Sequence, residues 1–269
     1  MNMHCSAPRS AARRPRLGSF AVLPCFALSL LVSCSFTQFE ASRDLHRSHP
    51  AEGVLTLRCA THNGPIRVRG KQGQQMVEVV AHLTAYGDSE EEALANVAAL
   101  DVEIQREGNE LVIRGIEPES YDWRDQSSFS YSIDLPPDVV LRLESHNGDI
   151  EAFDVAGNLE LGTHNGGILL RTSASKLTLE THNGGIDVTM TGDGPVGGSV
   201  VTHNGGVDVR LGARAAVVEA STHNGSIEAA GGTVVQSSDD RVRFVAGEAG
   251  GALQVLTHNG AVHVSAGAK

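Results

Sequence analysis

The sequence predicts an all-β fold, a β-solenoid of the single-stranded, β-helix-like kind with coils of about 20 residues. Three observations predict it. The tetrapeptide Thr-His-Asn-Gly stands at 61–64, 163–166, 181–184, 202–205, 222–225 and 257–260, and Ser145 to Gly148 differs only in its first residue. From His146 onward the histidines lie 18, 18, 21, 20 and 35 residues apart, so the last gap has room for two coils. Ser237 to Val242 fills the missing slot, which makes seven consecutive coils between residues 146 and 258. Finally, each copy is flanked by alternation: Leu177, Leu179 and Thr181 before the turn, Ile186 and Val188 after it, with Thr178, Glu180 and Asp187 between them. That is the period of half-buried strands.

Inward residues are odd-numbered before this turn and even-numbered after it, a shift that a glycine with positive φ can make. Asn-Gly between alternating runs is also a hairpin signal, so a meander or propeller competes with the solenoid. A hairpin has no use for the same Thr and His before every turn. A solenoid does, because stacked coils bring like residues about 4.8 Å apart, and Asn ladders can then bond successive backbones.

Taken in order, the chain begins with Arg9, Arg13, Arg14 and Arg16 ahead of an apolar run from Phe20 to Val32. Residues 1–33 read as a secretory leader, too short for a confident membrane span. Leu31-Val32-Ser33-Cys34 resembles a bacterial lipobox, which makes Cys34 the lipidated first residue of the mature chain; an ordinary leader cleaved nearby is the alternative. Residues 34–52 are polar and aperiodic and read as a lipidated tether. Removing 1–33 takes away four arginines and no acid, so a net charge of −11 becomes −15. Such a charge opposes a nucleic-acid role, which needs a basic footprint. Only Cys59 then remains as a free thiol, at an inward position beside Leu55 and Leu57.

Residues 53–143 form a less regular β/α part. Strands are expected at 54–59, 66–69, 76–83, 102–106, 110–114 and 130–135. One short helix is expected after the acidic run 88–92, with Ala93, Leu94, Val97, Ala98 and Leu100 on its apolar face. Gly108-Asn109 suits a turn, and Pro136-Pro137-Asp138 breaks the chain before the regular repeat of 144–269. Apolar residues make up 41% of the chain and aromatics 4%, so the core should be aliphatic and layered. The β/α part suits a cap at one end, while the final strand, 261–266, leaves the other end bare for self-association.

Val102-Glu103-Ile104, Leu111-Val112-Ile113, Tyr131 to Pro136 and Leu141 to Ile150, followed by the recurring Asn-Gly-x-Ile/Val, resemble the DUF4097 family. Its members are called adhesins for their shape more than for an established activity. The resemblance spans most of 53–269 and implies an exported or envelope-attached β-solenoid with no catalytic residue to carry over. The histidine before Asn-Gly departs from the family pattern.

Stacked coils would align His146, His164, His182, His203, His223 and His258 in one outward column, interrupted at Ser238. Neutral imidazoles in a row raise the alternative of a zinc- or copper-binding protein, although a single line lacks the second ligand set of a tetrahedral site. Protonation would set like charges side by side and weaken the fold below about pH 6.5. Glu151, Asp187, Asp208 and Glu228 fill the outward slot after the turn, with Arg67, Leu169, Arg243 and His263 in the equivalent positions. Paired carboxylates raise the second alternative, a carbohydrate-active enzyme; a solvated acidic strip is the plainer reading. Asn147, Gly148, Asn165, Gly166, Asn183, Gly184, Asn204, Gly205, Asn224, Gly225, Asn259 and Gly260, together with Asn63, are assigned to turn structure.

The sequence thus points to a non-catalytic envelope lipoprotein needing no cofactor. It would be held at the cell membrane or outer membrane through Cys34, and its solenoid would meet envelope polysaccharide or protein partners.

Overall fold

The computed structural model describes residues 38–118, 127–248 and 250–267. The leader and Cys34 lie outside the described residues. The N-terminal part comprises β1 (Phe39–Pro50), β2 (Thr56–Asn63), β3 (Ile66–Gly70), β4 (Met76–Gly87), α1 (Glu90–Ala99), β5 (Asp101–Glu107), β6 (Glu110–Ile116) and β7 (Ser127–Leu135). Four strand pairs follow, each joined by a tetrapeptide turn: β8 (Val140–Asn147) with β9 (Ile150–Val155), β10 (Leu159–Asn165) with β11 (Ile168–Thr172), β12 (Lys176–Asn183) with β13 (Ile186–Met190), and β14 (Gly197–Asn204) with β15 (Val207–Arg210). The chain ends with the pair β16 (Ala216–Asn224) and β17 (Ile227–Ala230), the hairpin β18 (Thr233–Ser237) and β19 (Arg241–Ala246), and the pair β20 (Gly251–Asn259) and β21 (Val262–Ser265).

The fold is a β-solenoid. In every pair one strand enters a sheet ordered β18-β19-β16-β20-β14-β12-β10-β8-β2-β6-β5, and the other enters a sheet ordered β1-β4-β7-β3-β9-β11-β13-β15-β21-β17. Coils pair in parallel and in register, as in Leu159↔Leu177 and Ile168↔Ile186, so each inward side chain meets its equivalent one coil away. Leu177, Leu179 and Thr181 are buried, as are Ile186, Val188 and Met190, while Thr178, Glu180 and His182 are exposed. The alternation is therefore the burial pattern, and the two inner faces form one mainly aliphatic core. Cys59 is a buried core residue whose thiol pKa is pushed up by desolvation.

Four details depart from the sequence expectation. The first concerns coil order. β14 pairs with β20 and not with β16, and β20 in turn pairs with β16; the other sheet repeats this order. The final coil is thus inserted between its two predecessors. The 35-residue gap holds no extra coil: residues 237–242 form the tip of the β18–β19 hairpin, where Ser238 N donates to Arg241 O at 2.8 Å. Strand β19 runs antiparallel to β16, which turns the chain back to enter the stack as β20. Ser238 and Arg243 consequently belong to no column. The open edges at this end are β17 and β18, not the last strand.

The inserted order has a direct test. Val201 and Leu256 are register partners, whereas Ser221 lies one strand further on, about 9.6 Å from Val201. Paired cysteines at 201 and 256 should be joined by a bis-thiosulfonate cross-linker of one-carbon span, each thiolate displacing a sulfinate, and paired cysteines at 201 and 221 should not. The reverse result would restore sequential stacking.

The second departure is β1, which replaces the free tether over 39–50. It pairs antiparallel with β4 along its whole length. Its sequence looks aperiodic because only Ala41 and Leu45 are apolar on the covered face, where Arg43 takes the next inward position. The Arg43 guanidinium donates to the carbonyls of Val97 and Leu100 and so satisfies the helix C-terminus. At the other end of α1, the Ser89 hydroxyl accepts from Glu92 N at 3.2 Å. Helix α1 buries Ala93 and Val97 and leaves Leu94 exposed.

The third departure is that β2 and β3 already form a coil in register with β8 and β9. β6 and β7 stack on that coil in the same sense without the tetrapeptide. The fourth concerns the turn glycines, and it belongs with the site.

Candidate functional site

Each position of the tetrapeptide can be followed from coil to coil. The hydroxyls of Thr163, Thr181, Thr202, Thr257 and Thr222 donate to the carbonyls of Gly148, Gly166, Gly184, Gly205 and Gly260 at 2.8–2.9 Å, and Ser145 reaches Gly64 O at 3.2 Å. Each bond joins one coil to its neighbour. It needs a short β-carbon hydroxyl at a buried position, which explains why only Thr or Ser stands there.

The asparagines form a ladder of side-chain amides. Asn147 Nδ2 donates to Asn63 Oδ1, and the series continues through Asn165, Asn183, Asn204, Asn259 and Asn224 at 2.8–2.9 Å. From Asn147 onward the amides thus bond one another rather than the successive backbones that the sequence suggested, while Asn63 Nδ2 at the start of the ladder donates to Ser127 O at 3.1 Å.

The glycines are required by close approach and not, in most coils, by φ. Gly148, Gly166, Gly184, Gly205 and Gly225 are absent from the positive-φ residues. A β-carbon on Gly166, Gly184, Gly205 or Gly260 would lie 2.0–2.3 Å from the carbonyl oxygen of the glycine in the adjacent coil. This is the carbonyl that accepts the threonine hydroxyl, so the two positions constrain each other.

The histidines differ from their neighbours. Seven rings form one unbroken column in the order His62, His146, His164, His182, His203, His258, His223, with centroids 4.7–4.8 Å apart and planes within 9° of parallel. His62 of the first tetrapeptide extends the column beyond the six histidines that the sequence aligns. Six rings are exposed and His258 is half-buried. Among the described residues no imidazole of the column is hydrogen-bonded to a protein group; its contacts are the rings above and below.

Parallel rings point equivalent nitrogens in the same direction, about 4.8 Å apart. Two nitrogens on one zinc can be separated by at most about 4.2 Å, twice the bond length, and their lone pairs must converge. The column alone does not meet that condition, and among the described residues no group of three His, Cys, Asp or Glu side chains is placed to hold a metal ion.

The outward slot after the turn reads, in sheet order, Arg67, Glu151, Leu169, Asp187, Asp208, His263, Glu228. Its carboxylates are paired: Glu151 with Arg67 at 3.1 Å, Glu228 with His263 at 3.8 Å, and Asp187 and Asp208 both with Arg210 at 2.7 Å. The hydrogen bond to Asp187 raises the Arg210 pKa. A groove of about 530 Å³ runs along this column over Gly167, Gly185 and Gly206. Asp149 also lines the groove, and its carboxylate accepts from Gly167 N at 2.7 Å.

The fold is shared with a known structure. A protein from Clostridium sporogenes, provisionally named a cell adhesion protein, superposes with a TM-score of 0.50 and 10% sequence identity, over 84% of this chain and 100% of its own. A provisionally named adhesin from Bacteroides fragilis gives a TM-score of 0.42 at 10% identity, over 83% and 97%. At such identity the first match establishes a common fold and nothing about activity. No family model and no curated protein matches the chain.

The column has a consequence for stability. Free histidine is neutral at pH 8 and charged at pH 5. Adjacent imidazolium groups 4.8 Å apart repel by about 0.9 kcal/mol even at the dielectric constant of water. The unfolded chain separates these charges, so folding should lose stability as the pH falls. The melting temperature should be lower at pH 5 than at pH 8, and the difference should shrink when His164, His182 and His203 are replaced by glutamine. Equal melting temperatures at the two pH values would exclude this coupling.

Proposed function

We propose that this chain is a non-catalytic envelope lipoprotein whose solenoid displays the histidine column as a repeated adhesive face. One observation carries the reading. Three of the four tetrapeptide positions have an internal reason to repeat, in a hydroxyl bond, an amide ladder and a close backbone approach. Among the described residues the histidine makes no comparable bond, and an outward position at a strand end tolerates many side chains. Its repetition is therefore best accounted for by what it presents to solvent.

The lipobox-like 31–34 and the DUF4097-like pattern of 53–269 support export and anchoring through lipid on Cys34. In this reading 1–33 is the leader, and because β1 begins at Phe39, the lipid holds the solenoid close to the bilayer. Among the described residues no helix is long and apolar enough to cross a membrane.

Two experiments test the two halves of the reading. Labelled palmitate should enter the wild-type chain and not Cys34→Ser. Binding of the purified protein to isolated cell envelopes should fall at least about tenfold, equivalent to 1.4 kcal/mol, in the folded triple variant H164A/H182A/H203A. Unchanged binding would remove the column from the adhesive face.

A further inference from the structure

We infer that the histidine column is a docking line for an acidic linear polysaccharide, engaged when its imidazoles are protonated. This rests on the reading of the column as the binding face and specifies its ligand. The argument begins with shape. Six intervals of 4.7 or 4.8 Å make a row about 29 Å long and one side chain wide. A single row contacts an extended chain along its length, whereas a flat headgroup layer needs width. An extended chain of sugars can lie along such a row and meet several coils at once.

Charge then selects the ligand class. With histidine neutral the chain carries −11, which repels a polyanion. Protonated rings become donors at both nitrogens, and among the described residues none is hydrogen-bonded to a protein acceptor, so the carboxylates of an acidic glycan supply counter-charge. The groups facing the column from its own strands are Glu144 and Glu180, two residues before His146 and His182; Ala60, Gly162, Val201, Leu256 and Ser221 occupy the equivalent positions in the other coils. Across the turn stands Asp149, whose carboxylate already accepts from Gly167 N. At the far end lie Asp240 and Arg241 of the hairpin, opposite Thr222 and Ser221. These four carboxylates and one arginine stand beside seven rings, so a fully protonated line keeps an excess of positive charge. Nucleic acid fits less well, because its denser charge is opposed by the rest of the acidic surface.

The experiment measures binding of the full chain to alginate oligosaccharides, a linear uronic-acid probe, at pH 5 and pH 8. Neutral cello-oligosaccharides and single-stranded DNA of matched length serve as comparisons. Alginate affinity should be roughly 100-fold higher at pH 5, as when each of two protonated rings contributes about tenfold through a charge-assisted contact. The triple variant H164Q/H182Q/H203Q should lose most of that increase, and H164K/H182K/H203K should bind at both pH values, with circular dichroism confirming that each is folded. Equal alginate affinity at the two pH values, absence of binding at both, or tighter binding of DNA would overturn the inference. Neutral oligosaccharide bound as well as alginate, and lost in the glutamine variant, would overturn the acidic-ligand inference while keeping the column as a binding face. A glutamine variant that binds every probe as the wild type does would overturn both.

Discussion

Gly184→Ala should destabilise the solenoid by about 3 kcal/mol, lowering the midpoint of a urea or thermal titration. The added β-carbon would sit 2.0 Å from Gly166 O and 2.5 Å from its carbonyl carbon. Both are backbone atoms held by the coil below, so relief requires moving a coil and not a side-chain rotamer. The displaced carbonyl also accepts the Thr181 hydroxyl at 2.8 Å, and on the same turn Asn183 is bonded to Asn165 and to Asn204. One methyl group therefore strains three ladders together. Gly162→Ala provides the comparison, since its added β-carbon meets nothing within 4 Å and its effect should stay within about 1 kcal/mol. Similar midpoints for the two variants would show that the glycine column is not set by close approach.

Arg214→Ala should cost about 3 kcal/mol in the same titration, with Arg214→Lys recovering part of the loss. Arg214 is buried, and its guanidinium donates to Ser173 O at 3.0 Å, Ala174 O at 3.0 Å and Pro195 O at 2.9 Å. Burial lowers its pKa, with Asp193 opposing; an arginine stays charged through the physiological range nonetheless. Those three carbonyls belong to the links between successive coils. Arg214 itself lies on the link from β15 to β16, the one that must step over the inserted β20–β21 coil. Leu211 N donates to Ser265 O and Gly267 N to Gly212 O along that crossing. Truncation to alanine strands three acceptors at the point where the chain order is irregular. A lysine offers one compact charge where a fork spans three carbonyls. No change in stability on truncation would mean that solvent replaces the arginine there.

Much of this architecture was legible before any coordinates. The strands of the regular coils, the outward face of the histidines and the burial of Cys59 all follow from residue alternation, because a strand has a period of two and one of its faces must leave water. The reasons for the tetrapeptide were less legible. The need for Thr depends on a carbonyl one coil away, and the need for Gly on a backbone contact of the same kind. Neither has a signature within a single copy, and the Gly position was accordingly misread as a demand for positive φ. β1 was missed for a related reason: an edge strand that covers its inner face with Arg43 carries little of the apolar alternation that marks its neighbours.

By itself, the sequence determined that equivalent side chains recur at the period of a coil, with Thr inward and His outward, since periodicity is a local property of the chain. Only the tertiary structure decided which coil lies next to which. All seven coils present similar edges, so local pattern does not distinguish β16 from β20 as the partner of β14. The antiparallel pairing of β19 with β16 returns the chain to the gap and seats His258 between His203 and His223. An uninterrupted column of seven rings is the result of that non-local pairing.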